Sequence, residues 1–228
     1  MKRSEINALI EDAKELLHKH YMKLPPFAYW SPEDWKQKGS ECDEIRECGL
    51  GWDITDFGAG DFDRTGLVVF TVRNGHRTLE PYTDKTYCEK ILIVRKDQHT
   101  PMHYHVFKQE DIICRCGGNL VCEVYNRTPD DQLAGTEVEV SLDGVRHRVP
   151  AGTQLVLTPG ESITLTPYLW HEFWAEKGTG TSIVGEVSKV NDDATDNVFL
   201  KALGRFPDIE EDAPPMHLLC TEYEAPGA

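Results

Sequence analysis

The sequence lacks long apolar runs and is poor in basic residues. No stretch approaches the roughly 18 consecutive apolar residues that a membrane-spanning helix needs. The 24 Lys and Arg residues are outnumbered by 39 Asp and Glu residues, so the net charge is −15. Because so acidic a surface repels phosphate backbones and anionic lipids, we expect neither nucleic acid nor a membrane as a partner. Basic residues cluster only at Arg146-His-Arg148, which disfavours a phosphosugar substrate.

Cysteine pairs with the full spacing of a structural zinc site are also missing. The seven cysteines are odd in number, and the polar segment Met1–Asn7 is not followed by the apolar run of a secretory leader. We therefore expect reduced thiols in a cytoplasmic protein. Repeats and low-complexity linkers are absent as well, and 228 residues fit one domain with extensions.

Helical and strand periodicity divide the chain into three parts. Apolar residues recur at three- and four-residue spacing over Ser4–Tyr21, which predicts a helix, and Ser31-Pro32 predicts the start of a short second helix. From Gly66 onward, short apolar segments alternate with Gly, Pro and Asn turns, including an expected hairpin turn at Asn74-Gly75. We predict a single all-β domain with a helical or irregular extension over residues 1–65, a β-barrel over 66–200 and a tail over 201–228.

The segment His103-Tyr-His105, followed by Glu110, is the strongest candidate for a chemical site. Two histidines two residues apart lie on the same face of a strand, because strand side chains alternate. Glu110 would face away on one straight strand, whereas a turn through Val106–Gln109 would bring it back toward the histidines. Two imidazoles and a carboxylate suit a divalent ion such as Mn, Fe, Zn, Co or Ni. A surface histidine pair with a solvated glutamate is the alternative.

Such a ligand set needs at least one more strong ligand, and His171 is the best candidate. It begins a late predicted strand, where it shares one face with Phe173 and Ala175. A histidine buried in the core is the alternative. The other histidines have weaker support, because they lie near turns, beside the approach to the site or in the tail: His76, His99, His147 and His217.

This spacing resembles the first motif of the cupin superfamily, G-x5-H-x-H-x(3,4)-E-x6-G. The second cupin motif, G-x5-P-x-G-x2-H-x3-N, is kept only in part, because its histidine appears late, at His171. The positions that fit are His103, His105, Glu110 and Gly117 in the first motif and Gly144, Pro150 and Gly152 in the second. The positions that depart from the motifs are Asp97, Leu155 and Ala175. The resemblance implies a jelly-roll barrel that carries a metal ion.

Nearly the whole chain is similar to one cupin family, the D-lyxose isomerases. The matching segments are residues 1–7 (MKRSEIN), 100–111 (TPMHYHVFKQED), 165–173 (LTPYLWHEF) and 185–193 (GEVSKVNDD). The resemblance implies a Mn²⁺-dependent, homodimeric enzyme that interconverts D-lyxose with D-xylulose, and D-mannose with D-fructose as a second pair. The ligand set also admits Co²⁺, Fe²⁺ or Zn²⁺.

An aldose–ketose isomerase also needs a side chain that moves a proton between C1 and C2. Lys108 lies in the turn between the ligands, where a nearby dication and partial burial would lower the pKa of its amine. Lys90 begins the strand before the ligand strand and could line the same cavity. Solvent-exposed lysines in a turn and on an edge strand are the alternatives.

Asp193 and Arg205 are further candidates for acid/base chemistry or for binding sugar hydroxyls. Capping of a local turn by Asp193 and pairing of Arg205 with the acidic tail are the alternatives. Glu186 and Ser188 lie two residues apart and have a weaker claim to the cavity. A stacking wall for a sugar could come from the aromatic residues around the late histidine, Trp170, Phe173 and Trp174.

Two other classes of protein use the same ligand set. A cupin Fe(II) dioxygenase would bind iron through it and consume oxygen. A non-catalytic cupin would bind a metal or a sugar without turnover, although the ionisable residues Lys90, Lys108, Asp193 and Arg205 exceed what a passive binder needs.

Overall fold

The computed structural model describes residues 1–224, and its helices lie near the N-terminus. They are α1 (Arg3–Lys19), α2 (Pro32–Trp35) and α3 (Asp43–Glu47). The apolar stripe of α1 packs on the outer face of a β-sheet, where Ile6 and Ile10 are fully buried. Ser31 caps α2 as predicted, because its hydroxyl accepts a hydrogen bond from the backbone N–H of Asp34 at 3.1 Å. Within residues 1–224, no helix is long and apolar enough to cross a membrane.

Thirteen β-strands follow between residues 51 and 199 of the described chain. They are β1 (Gly51–Thr55), β2 (Leu67–Arg73), β3 (Tyr87–Val94), β4 (His99–His105), β5 (Glu110–Gly117), β6 (Leu120–Tyr125), β7 (Val138–Leu142), β8 (Val145–Val149), β9 (Thr153–Leu157), β10 (Ser162–Leu165), β11 (Trp170–Ala175), β12 (Ser182–Lys189) and β13 (Asn197–Phe199).

The strands form two antiparallel sheets that pack face to face. The larger sheet has the order β1-β2-β3-β12-β5-β10-β7-β8, and the smaller has the order β13-β4-β11-β6-β9. Side chains from both inner faces form one apolar core, in which Val94, Cys122 and Ile163 are fully buried. The predicted fold class, an all-β cupin-type barrel with an N-terminal helical extension, is confirmed.

The connection between β4 and β5 crosses from one sheet to the other. Strand β4 belongs to the smaller sheet and β5 to the larger. The four residues Val106–Gln109 join them, so His103 and His105 face Glu110 across the barrel. The predicted turn is therefore present, and it explains how an odd spacing still brings Glu110 to the histidines.

The boundary of the N-terminal extension differs from the prediction. Strand β1 lies inside the segment 1–65 and pairs along its whole length with β2, from Gly51 opposite Thr71 to Thr55 opposite Leu67. The sheet therefore begins at Gly51 and not at Gly66. The pattern of this strand was hidden because all five of its residues are buried, including the polar Asp53 and Thr55.

The expected hairpin turn at Asn74-Gly75 does not form. Residues 74–86 join β2 to β3, and the Asn74 side chain is buried beneath them. Its amide donates hydrogen bonds at 3.0 Å to the carbonyls of Cys48 and Asn191, and its oxygen accepts one from the N–H of Asn191 at 3.0 Å. A Cβ on Gly75 would lie 1.7 Å from the Lys85 carbonyl oxygen, so this position requires glycine.

The C-terminal tail lies across the start of α1. The buried Arg3 guanidinium donates hydrogen bonds to the carboxylates of Glu211 and Glu222. Ile209 packs against the apolar cluster under α1, whereas Phe206 is 42% exposed and contacts the Arg205 guanidinium.

Candidate active site

Three histidines meet at the inner face of the smaller sheet. His103 and His105 alternate inward on β4, and His171 lies directly opposite His103 on the neighbouring strand β11. All three side chains are buried, and one ring nitrogen from each lies within 4.8 Å of those of the other two. Imidazole nitrogens this close together, directed at one point, could hold a divalent ion.

Backbone carbonyls fix the tautomers of two of these histidines. The Nδ1–H of His103 donates to the Pro101 carbonyl at 2.8 Å, and that of His171 donates to the Leu169 carbonyl at 3.0 Å. Because a carbonyl can only accept, Nδ1 carries the proton, and in the neutral ring Nε2 then keeps its lone pair. The buried Nε2 of His171 has no hydrogen-bond partner within residues 1–224. An outward carbonyl partner and an unpaired inner nitrogen are what a metal-binding histidine requires.

Glu110 completes the group from the opposite sheet. Its Oε1 lies 3.4 Å from the Nε2 of His105 and 3.3 Å from the Nε2 of His171. Burial opposes ionisation, but the nearby Lys108 ammonium and His105 hold the pKa of Glu110 well below its usual range. Burial and the adjacent histidines also lower the pKa of His103 well below 6.5. Neutral imidazoles beside an ionised carboxylate are the protonation states in which these groups bind a metal.

A chain of alternating charges extends from this group along the cavity. The Lys108 Nζ lies 2.7 Å from Glu110 and 2.8 Å from Glu186, whose other oxygen lies 3.8 Å from the Nζ of Lys90. Lys90 in turn lies 3.4 Å from Asp193. The predicted residues Lys90, Lys108 and Asp193 are therefore brought together, and Glu186 stands between the two lysines.

Arg205 forms the far end of this charged chain. One of its amino groups, Nη2, lies 3.1 Å from Asp193 and also donates a hydrogen bond to Asp53 on β1. The other, Nη1, is buried and has no hydrogen-bond partner in the described part of the chain. Burial opposes the charge of Arg205, but Asp193 and Asp53 raise its pKa, so the guanidinium stays protonated.

The pKa of Lys108 is shifted in the direction opposite to the one expected. Burial alone would lower it, as the sequence suggested, but the carboxylates of Glu110 and Glu186 outweigh burial and raise the pKa. Lys90 shows the same balance, because burial is outweighed by Asp193 and Glu186. The protein's own groups thus keep both lysines as ammonium donors.

These residues line one cavity, and the space between its lining atoms is about 460 Å³ when the part open to solvent is included. Phe173 lines it, but Trp170 and Trp174 point to the other face of β11, because strand side chains alternate. His99 stacks on Trp174 and so does not line the approach to the site. The rest of the aromatic wall comes from Phe57 and Phe199.

Several residues of the site carried no signal in the sequence. Asp53 lies on the unpredicted strand β1, and Asn191 accepts hydrogen bonds from Lys90 at 2.8 Å and Lys108 at 3.4 Å. Asp196 contacts the backbone of the turn between the ligands. Asn191 and Asp196 lie in loops, and Asp53 lies on a strand that is buried on both faces, so the position of each follows from long-range contacts and not from periodicity.

Comparison with known proteins places nearly the whole chain in one family. A family model for D-lyxose isomerase matches residues 1–223. The chain is 50% identical to the D-lyxose/D-mannose isomerase of Serratia proteamaculans and 48% identical to that of Escherichia coli O157:H7, in each case over 98% of both chains.

Solved structures of L-ribose isomerases share the fold. The enzyme of Geodermatophilus obscurus aligns with a TM-score of 0.63 at 17% identity, and that of Cellulomonas parahominis aligns with a TM-score of 0.61 at 16% identity. Both alignments cover 92% of this chain and 98% of the other. The family match decides between the predicted classes: the chain belongs to the D-lyxose isomerase family and is an aldose–ketose isomerase.

Proposed function

We propose that the chain interconverts D-lyxose with D-xylulose, and D-mannose with D-fructose, using a divalent ion held by His103, His105, Glu110 and His171. The observation that carries the proposal is that these four buried side chains converge at one end of a cavity lined by ionisable groups. The relatives named D-lyxose/D-mannose isomerase support the choice of sugars. Mn²⁺ as the native ion, a homodimeric assembly and a cytoplasmic location stay predictions from the resemblance and the composition.

The ion, when bound, would supply Lewis acidity that stabilises negative charge developing on the sugar oxygens at C1 and C2. Lys108 is placed to assist from the protein side, because its Nζ touches Glu110 and so lies next to the ligands. As an ammonium it donates a hydrogen bond to the sugar oxygens, gives O1 the proton that this oxygen gains and takes back the proton that O2 loses, so the ammonium is regenerated. Its ion pairs with two carboxylates make it unsuitable as the base.

Glu186 is the best placed base for the carbon-bound proton. It is a buried carboxylate in the same cavity that is not needed as a metal ligand. Its hydrogen bonds with Lys108 at 2.8 Å and the Ser188 hydroxyl at 2.9 Å fix its orientation. In the forward direction it takes the proton from C2 of the aldose and returns it to C1, so the base is regenerated.

Lys90, Asp193 and Arg205 bind the remaining sugar hydroxyls in this proposal. Asp193 and Lys90 form one ion pair, and the unpaired Nη1 of Arg205 is a buried donor beside the cavity. A hydroxyl that accepts from Nη1 would relieve the cost of that unpaired donor.

The direct test uses metal-depleted protein incubated with D-lyxose, with and without Mn²⁺, while D-xylulose is measured. We expect turnover only with the ion, and loss of turnover together with weaker Mn²⁺ binding in His171→Ala. His147→Ala is the matched control, because His147 is exposed on β8 and should leave both quantities unchanged. Stoichiometric Mn²⁺ binding without turnover on D-lyxose or D-mannose would contradict the proposed activity.

A further inference from the structure

Asp196 contacts three consecutive backbone N–H groups in the turn between the ligands. Its Oδ1 accepts a hydrogen bond from the N–H of Phe107 at 2.7 Å, and its Oδ2 accepts one from that of Lys108 at 3.0 Å. Its backbone carbonyl accepts from the N–H of Val106 at 3.2 Å. Asp196 is only 3% exposed and lies between β12 and β13, far from this turn in sequence.

Apolar packing contributes little to holding this turn. Val106 is 40% exposed and Phe107 is 42% exposed, and Gln109 is also exposed. The turn must nevertheless have one defined shape, because it carries the chain from one sheet to the other and sets Glu110 opposite His105. The three hydrogen bonds to Asp196 fix the backbone at Val106–Lys108, and the Lys189 N–H holds the Gln109 carbonyl at 3.0 Å.

The same carboxylate is the candidate partner for the outer nitrogen of His105. The corresponding nitrogens of His103 and His171 donate to carbonyls, whereas the Nδ1 of His105 is buried without a hydrogen-bond partner in residues 1–224. The Oδ2 of Asp196 lies 3.9 Å from it, which is slightly too long for a hydrogen bond but short enough to close with a small ring rotation. Metal-binding histidines almost always donate their second N–H to such a group.

We propose that Asp196 is a positioning residue of the metal centre, which fixes the turn from His105 to Glu110 and orients the His105 ring when an ion binds. The proposal rests on the ligand set proposed above. Asp196 is not one of the proposed ligands and does not line the cavity, so it acts through His105 and through the backbone before Glu110.

Asp196→Asn is the most informative variant. Asparagine keeps the size of the side chain but replaces one acceptor oxygen with an NH₂ group. The backbone N–H of either Phe107 or Lys108 would then face that NH₂ group, and two donors cannot form a hydrogen bond. Asp192→Asn is the matched control: Asp192 is nearby, but within residues 1–224 its side chain hydrogen-bonds only to Thr195. Mn²⁺ affinity by calorimetry and the visible absorption of bound Co²⁺ report the metal centre, and circular dichroism of the metal-free proteins reports folding.

We expect Asp196→Asn to bind Mn²⁺ about 10- to 100-fold more weakly than wild type, with an altered Co²⁺ spectrum, the range seen when partners of metal ligands are removed. Asp192→Asn should match wild type in both readouts. A folded Asp196→Asn protein with wild-type affinity and spectrum would overturn the proposal. If the wild type bound no ion, the proposed metal centre itself would be wrong. That result is distinct from a failure of the Asp196 proposal, in which the wild type binds Mn²⁺ and the variant binds it equally well.

A measurement on the wild type covers the case in which the variant does not fold. In Zn²⁺-loaded protein, long-range ¹H–¹⁵N NMR should show His105 bound through Nε2, with a slowly exchanging proton on Nδ1. An Nδ1 proton that exchanges as fast as one exposed to water, or binding through Nδ1, would overturn the role of Asp196.

Discussion

Replacing Glu186 with glutamine is expected to stop proton transfer while leaving the fold and the metal site in place. Glutamine has the same shape and can still accept from the Lys108 ammonium and the Ser188 hydroxyl, as Glu186 does. It cannot take a proton from carbon. Because Glu186 is not a proposed metal ligand, Mn²⁺ affinity should change little.

The size of the effect can be bounded from the contacts. A positioned general base contributes about 10²- to 10⁴-fold, so kcat should fall by that factor, or about 3–5 kcal/mol of barrier. The cost to stability should be smaller than the about 3–5 kcal/mol of leaving a buried charge without a partner. Lys108 keeps Glu110 at 2.7 Å, and Lys90 keeps Asp193 at 3.4 Å.

The assay compares kcat of the Mn²⁺-loaded variant with that of wild type and of Ser188→Ala. Ser188→Ala removes one hydrogen bond from Glu186 without changing charge, and it should cost at most about tenfold. A Glu186→Gln enzyme within about tenfold of wild type would refute the role of the base, since general-base catalysis is worth more. Turnover in D₂O adds a second test, because a proton held on Glu186 can exchange with solvent before it reaches C1. Deuterium on carbon in the product would identify proton transfer, since a hydride shift moves the hydrogen directly and incorporates none.

Three further changes test other parts of the structure. Arg205→Lys should raise KM for the sugar about 10- to 100-fold with a smaller effect on kcat, because lysine lacks the second amino group that leaves Nη1 free for a hydroxyl while Nη2 holds Asp193 and Asp53. Steady-state kinetics decides, and an unchanged KM would exclude this contact. Asn74→Ala should cost on the order of 3 kcal/mol in urea unfolding, because three buried hydrogen bonds are lost. Glu172 lies opposite Glu123 on neighbouring strands, and burial and then Glu123 raise its pKa. The folded state favours the protonated acid, so wild type loses stability as the pH rises through that pKa. Glu172→Gln should therefore be more stable than wild type by about 0.2–1 kcal/mol at pH 7 and show no gain below about pH 4. Equal stability of variant and wild type at pH 7 would contradict this.

The proposed ligands could be found from the sequence because strand geometry is regular. Alternation places His103 and His105 on one face, and the same rule places His171 and Phe173 together on β11. Applied fully, it would also have removed Trp170 and Trp174 from the sugar wall. The turn before Glu110 was predictable from its odd spacing, and it is present in the structure.

The supporting residues could not be found in the same way. Asp53 is buried because Arg205, about 150 residues later in the chain, pairs with it. Asp196 caps a turn about 90 residues earlier. Asn74 looked like a turn residue in the sequence, but its side chain joins the backbone at Cys48 to that at Asn191. A local pattern reports which face of an element a side chain takes, but not which distant loop will supply its hydrogen-bond partner.

The acidic composition of the chain does not describe the cavity. Three basic side chains alternate there with four carboxylates, from Glu110 through to Asp53, so the charges are nearly balanced. Buried ion pairs contribute little net stability, because the loss of hydration offsets most of their attraction. An apolar cavity of the same shape would fold at least as well, yet it could bind neither hydroxyls nor a dication. The charged chain is therefore better explained by the chemistry of a polar, uncharged sugar than by the stability of the barrel.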